Sequence, residues 1–284
     1  MRKISTLLFL IVFSFVMKAE VSVSEKSALV KLYNSTNGAN WTSKWDLNAP
    51  VSSWYGVGVQ EDKVVSVQLP NNYLVGVLPS EISNLVHLKN LNLYKNAISG
   101  MIPSSIGEMK SLETLNLSFN KLSGSIPDSI CAASSLKKVE LFMNDFSGNI
   151  PSEIGKLSNL EILSLYNNAI EGQIPASLYE LKGLKILLLN SNKITGTLSQ
   201  SVSNLTNIQQ LSLFDNKMTG QVSFDLEKLS NLKEMNISYN QFSGLVSKDL
   251  SKLDVLNMTM INERGVAEVL KVSVDRNTAI VSED

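Results

Sequence analysis

Eight consecutive stretches of this chain are written on one frame. From Val64 the sequence can be cut every 24 residues, at Leu88, Leu112, Leu136, Leu160, Leu184, Ile208 and Leu232, without insertion or deletion. Asparagine fills the ninth place of every unit, at Asn72, Asn96, Asn120, Asn144, Asn168, Asn192, Asn216 and Asn240. Glycine fills the thirteenth, at Gly76, Gly100, Gly124, Gly148, Gly172, Gly196, Gly220 and Gly244. A unit this short cannot enclose its own apolar side. It buries that side against its neighbours, so the chain must stack into a solenoid whose core grows by addition.

Elementary chemistry accounts for the fixed letters. Leu91 and Leu93 alternate with Asn90, Asn92 and Tyr94, the period of two that marks a strand with one buried face. Stacked turns leave main-chain groups facing the interior, and an asparagine side chain supplies both a donor and an acceptor for them. Glycine at place thirteen permits a backbone conformation or a close approach that a Cβ would block. Proline at place sixteen (Pro79, Pro103, Pro127, Pro151, Pro175) fixes φ on the convex side. Ser199, Ser223 and Ser247 replace it in the last three units, which predicts a looser convex side there.

This frame resembles the leucine-rich repeat family, whose signature is L-x-x-L-x-L-x-x-N-x-L. The segments "SGMIPSSIGEM" and "SGNIPSEIGKL" resemble the 24-residue subtype of plant receptor ectodomains and of some secreted bacterial proteins. The resemblance implies an α/β solenoid: a right-handed superhelix with a concave parallel β-sheet, eight repeats over residues 64–255, and a cap at each end. It also implies recognition, adhesion or inhibition by non-catalytic binding. Residues 20–63 resemble the family's N-terminal cap, with an apolar-patterned helix around Ala28 to Tyr33 and all three tryptophans, Trp41, Trp45 and Trp54. Plant members carry Cys-x-Trp-x-Gly-Val-x-Cys there. This chain keeps Trp54, Gly56 and Val57 but has Ser52 and Val59 at the cysteine places. Without that disulfide it looks more like a secreted or cell-surface bacterial protein of the family. The tail, 256–284, loses the ladder asparagine, and "LKVSVDRNTAIV" alternates about a polar turn, which predicts a terminal hairpin.

Residues 1–19 place Arg2 and Lys3 before an apolar run from Ile4 to Met17. That order is the order of an export signal, and the run is short for a bilayer span. Cleavage near Ala19 would leave a mature chain with no membrane span, secreted or held at the cell surface. Met17 is bulky for its place before such a cut, so an uncleaved N-terminal anchor is the alternative.

Composition closes off other chemistry. Lysine and arginine number 25 against 26 acidic residues, which gives no electrostatic reason for a nucleic-acid partner. One cysteine, Cys131, and one histidine, His87, exclude a disulfide framework, a cysteine-based zinc site and a histidine cluster. No phosphate loop, triad order or metal spacing occurs, and an open concave sheet offers no water-excluding cleft for paired carboxylates such as Glu140 and Asp145. Neither an enzyme nor a cofactor is expected.

If the frame fixes the interior, information resides at the outward places of each strand, the third, fifth, seventh and eighth. Place seven carries Tyr94, Phe142, Tyr166 and Phe214; place eight adds Phe119 and Tyr239; Ile186 and Leu188 continue the apolar strip where unit six has no ring. Contiguous apolar surface points to a partner. The competing reading is that rings beside the ladder asparagine only shield the turn, and Phe119 and Tyr239 fit it best. Strands about 4.8 Å apart make eight units about 40 Å long; with about 20 Å of width, roughly 800 Å² faces outward, one side of a standard protein interface. A protein or peptide is the expected partner, a glycan stacked along the rings its rival, and an idle face in a structural envelope protein the alternative of another class.

Overall fold

The computed structural model describes residues 20–254, 256, 258–262 and 265–272. The export segment, 1–19, lies outside them, as does most of the stretch expected to form the terminal hairpin.

Each unit contributes one short strand to a nine-stranded sheet. It opens with an antiparallel pair, Val57–Gln60 against Lys63–Gln68, and continues in parallel through Asn90–Asn92, Thr114–Asn116, Lys138–Glu140, Ile162–Ser164, Ile186–Leu188, Gln210–Ser212 and Glu234–Asn236. Partners stand one repeat apart, as Ser66 with Asn90 and Asn90 with Thr114. Regular strand covers three residues in most units, but the hydrogen bonding runs on: Leu93 N donates to Asn116 O and Lys95 N to Ser118 O, each at 2.9 Å.

The asparagine ladder is uniform from the second unit onward. Asn120 accepts from Ile98 N at 3.0 Å and donates to Leu93 O and Leu117 O, each at 3.0 Å, so one side chain binds main chain of its own unit and of the preceding one. Asn144, Asn168, Asn192, Asn216 and Asn240 repeat the pattern. Asn72, with no unit before it, turns to the cap, accepting from Ser43 N and donating to Ser43 O.

A second sheet runs beside the first. Val75–Val77, Ala97–Gly100, Lys121–Ser125, Asp145–Gly148, Ala169–Gly172 and Lys193–Ile194 pair in parallel across the turn between concave and convex sides. It explains the invariant glycine at both levels. Gly124 has φ +77°, and a Cβ there would lie 2.9 Å from Met101 Cγ, the residue of the preceding unit that rests on it.

The convex side carries 3₁₀ turns, such as Ser104–Glu108 and Ala176–Glu180; among the described residues α-helix is confined to Val23–Ser35 and Lys248–Leu253. Those turns persist where proline is lost, contrary to the looser convex side expected. Ser199 Oγ accepts from Ser201 N (3.1 Å), Ser223 Oγ from Asp225 N (3.2 Å) and Ser247 Oγ from Leu250 N (3.2 Å). Proline presets φ for a helix start, whereas serine caps it with a side-chain oxygen; the two devices substitute for one another.

One apolar core runs the length of the stack, from Ala28 in the first cap to Leu270 in the last. At the N-terminal end Tyr33, Trp41, Trp45 and Trp54 form a ring cluster, with Trp45 and Trp54 stacked at 4.8 Å. Each indole N–H is satisfied, on Thr36 O, Tyr55 O and Ala49 O respectively. At the other end an antiparallel hairpin of Thr259–Ile261 with Ala267–Val269 follows the last unit, earlier in the chain than the hairpin expected from 270–281.

Candidate interaction face

The outward places do not behave alike, because the eighth residue of every unit has left-handed backbone. Asn71, Lys95, Phe119, Met143, Asn167, Ser191, Asp215 and Tyr239 all have φ between +49° and +58°. A residue in that conformation swings its side chain out of the strand alternation. In unit three the small Ser118 at place seven is fully buried, and Phe119 at place eight takes the position a place-seven ring would fill.

The result is a column of four rings. Tyr94 meets Phe119 edge-on at 5.4 Å, Phe119 meets Phe142 edge-on at 5.5 Å, and Phe142 stacks on Tyr166 at 4.3 Å with planes 11° apart. Such pairs contribute beyond their buried area. Phe119, read as a turn shield, is the link between Tyr94 and Phe142. Phe214 and Tyr239 form a second pair at 5.2 Å. Between the two groups unit six presents Asn190 at place seven, with half-buried Ile186 and Leu188 nearer the strand start. The strip is therefore two aromatic clusters with an aliphatic bridge. Only Tyr239, 42% exposed, stands well out; Tyr94, Phe119, Phe142, Tyr166 and Phe214 are half-buried against one another and the sheet.

Charges along the strand starts pair between units: Lys137 with Glu113 at 2.8 Å and Lys185 with Glu161 at 2.7 Å. These exposed pairs add little stability. Deeper in the face Glu140 accepts from Asn116 Nδ2 at 2.8 Å and lies 3.0 Å from Lys138 Nζ. Sequence reasoning did not single out Ser164 on this face, since a small polar residue in a strand carries no signal of its surroundings.

The single cysteine lies away from the ring column, in the 3₁₀ turn Asp128–Ala132. Cys131 is buried, and burial pushes its thiol up to about 11. His87 is half-buried at the end of the first unit. Among the described residues no three metal-binding side chains converge, and no helix is long and apolar enough to cross a membrane.

Comparison with known proteins matches both sequence and shape. A family model described as a leucine-rich repeat region matches residues 141–268, and another, leucine rich repeat, matches 62–122 and 87–146. No curated protein sequence matches the chain. Among solved structures it is similar to the PEPR1-AtPEP1 complex, with TM-score 0.72 and 27% identity over 81% of this chain and 37% of that one. It is similar also to the Arabidopsis receptor kinase HAESA in complex with the peptide hormone IDA and the co-receptor SERK1, with TM-score 0.55 and 26% identity over 79% of this chain and 47% of that one. The chain thus spans less than half the length of either. A plant ice-binding protein aligns over 89% of this chain and 99% of its own at TM-score 0.62, but 21% identity makes that a likeness of fold alone. These neighbours are plant proteins and lend no support to the expected likeness to bacterial ones. The matched segments together run from residue 62 to residue 268, across the repeats that build the sheet, and the chain belongs to the leucine-rich repeat family.

Proposed function

We propose that this chain is a non-catalytic recognition module, working outside the cytoplasm, that binds a protein or peptide along its concave face. The observation that carries the reading is the four-ring column from Tyr94 to Tyr166, contiguous across four units on a face where Lys137 pairs with Glu113 and Lys185 with Glu161. Packed aromatics at the centre of a polar surface are what interface hot spots are made of. A relative of similar fold, HAESA, is seen with a peptide hormone, which supports a peptide as the ligand class. The export-like order of residues 2–18 supports the compartment.

Partner capture from a native cell-surface extract tests this. The chain is compared with a variant carrying Tyr94→Ser, Phe142→Ser, Tyr166→Ser and Leu188→Ser, whose fold is checked by circular dichroism. A protein or peptide retained by the parent alone supports the reading. Retention of a glycan in its place corrects the ligand class, and equal retention by a folded variant removes the rings from the function.

A further inference from the structure

Ser164 stands opposite Glu140 in the concave sheet, one strand along. It occupies an outward place, yet it is 3% exposed, and its hydroxyl has no hydrogen-bond partner among the described residues. A buried polar group left unpaired is destabilising and calls for a reason. Its neighbour is half used. Glu140 Oε2 takes the amide of Asn116 and the ammonium of Lys138, while Oε1 accepts no hydrogen bond among the described residues, and the side chain is only 16% exposed.

Two residues further along the same two strands stand Phe142 and Tyr166, whose rings are stacked almost parallel. Burial, with Tyr94 and Glu140 nearby, pushes the Tyr166 phenol up. What this corner leaves unpaired is a carboxylate oxygen and a hydroxyl oxygen, beside ring faces that carry negative potential. A planar cation with several N–H donors satisfies all of it at once: donors to Glu140 Oε1 and Ser164 Oγ, and a flat face against the rings. Lys138 cannot do so, since its single ammonium already sits on Oε2.

We infer that the partner of this face inserts an arginine side chain between Glu140 and Ser164, with its guanidinium against the Phe142–Tyr166 pair. The inference rests on the concave-face reading and names the chemistry that face selects.

The full chain, with tyrosine rings labelled by carbon-13, is titrated with Nα-acetyl-L-arginine amide and separately with the citrulline analogue, which keeps the shape and lacks the charge. The arginine compound should shift the Tyr94 and Tyr166 ring signals while the citrulline compound does not. Glu140→Gln should weaken binding by about tenfold or more, as loss of a charge-assisted bond requires. Ser164→Ala, which deletes an orphaned hydroxyl, should keep or raise the melting temperature and still weaken binding several-fold. Equal shifts from citrulline, none from arginine, or unchanged affinity in a folded Glu140→Gln protein would overturn the assignment. If arginine fails while the extract still yields a ring-dependent partner, the subsite is wrong and the face stands. Arginine binding with no ring-dependent partner is the reverse.

Discussion

The two ends of the stack solve one problem with unequal means. Each buries a carboxylate that collects main-chain donors of the terminal unit. At the N-terminal end Glu25, 4% exposed, takes the hydroxyl of Ser22 and the amide of Val64, so the helix Val23–Ser35 is bonded to the first repeat. At the C-terminal end Asp254, 2% exposed, takes Ile237 N, Ser238 Oγ and Leu256 N. The first cap adds three buried tryptophans. The second leaves Val266 and Val269 55% and 60% exposed on its hairpin. Polar satisfaction is thus common to both closures; among the described residues the N-terminal end adds a cluster of large rings, where the C-terminal end buries Met258 and Met260. Trp45 and Trp54 stack within this first cap, 4.8 Å apart.

The largest expected effect falls where apolar mass does the closing. Trp45→Ala should cost about 3–5 kcal/mol by chemical denaturation, the usual loss for a buried large aromatic. A smaller loss would mean that the caps are closed by their carboxylates alone. Asp254→Ala should cost about 2–3 kcal/mol through the donors it strands. Hydrogen exchange should quicken at the amides of Ile237 and Leu256 and stay unchanged at Val64, since each unit touches only its neighbours; quickening at both ends would break the comparison. Ser22→Ala and Ser247→Ala, one helix cap at each end, should each cost about 1 kcal/mol. At neutral pH the least effect belongs to the middle of the stack, where Cys131 and the buried Tyr179 are pushed up by burial to about 11 and about 12. Both pKa values are raised, so the fold favours the protonated forms. Their contribution is complete below the ordinary values of 9.0 and 10.0 and is lost as pH rises through them toward 11 and 12. Tyr179→Phe should remove part of this alkaline loss in melting curves taken from pH 8 to pH 12, which locates it in the units and not in the caps.

What could be read from the letters follows the same division. Periodic features were legible because a repeat states its constraint eight times: Asn120 and Gly124 are explained by their copies as much as by their surroundings. Trp41, Trp45 and Trp54 were legible as cap material because bulk clustered outside the repeats has few other uses. Glu25 and Asp254 were not legible, since each occurs once and meets its donors only after folding, Glu25 across 39 residues from Val64. The second sheet went unseen for a different reason. Its strands are two to five residues long, too short for alternation to emerge, and all but Lys193–Ile194 include the glycine place. On the face itself the ring column was legible by place number, but the part of Phe119 was not. The left-handed eighth residue is a backbone fact, imposed equally on Asn71 and Phe119, and only the small Ser118 beside it hints that the ring has a space to enter.

The uniform asparagine ladder carries a consequence for how such a chain changes over time. Every bond it makes refers only to its own unit and the one before, so whole units can be copied or dropped with all main-chain partners restored at the seam. The face therefore varies in length by quanta of one strand, about 4.8 Å. Unit six, residues 184–207, separates the two ring clusters, with Asn190 and Ser191 at places seven and eight. Its loss would remove Ile186 and Leu188, set Phe214 on the strand next to Tyr166 and fuse two aromatic clusters into one, altering what the face can hold without changing any of its rings.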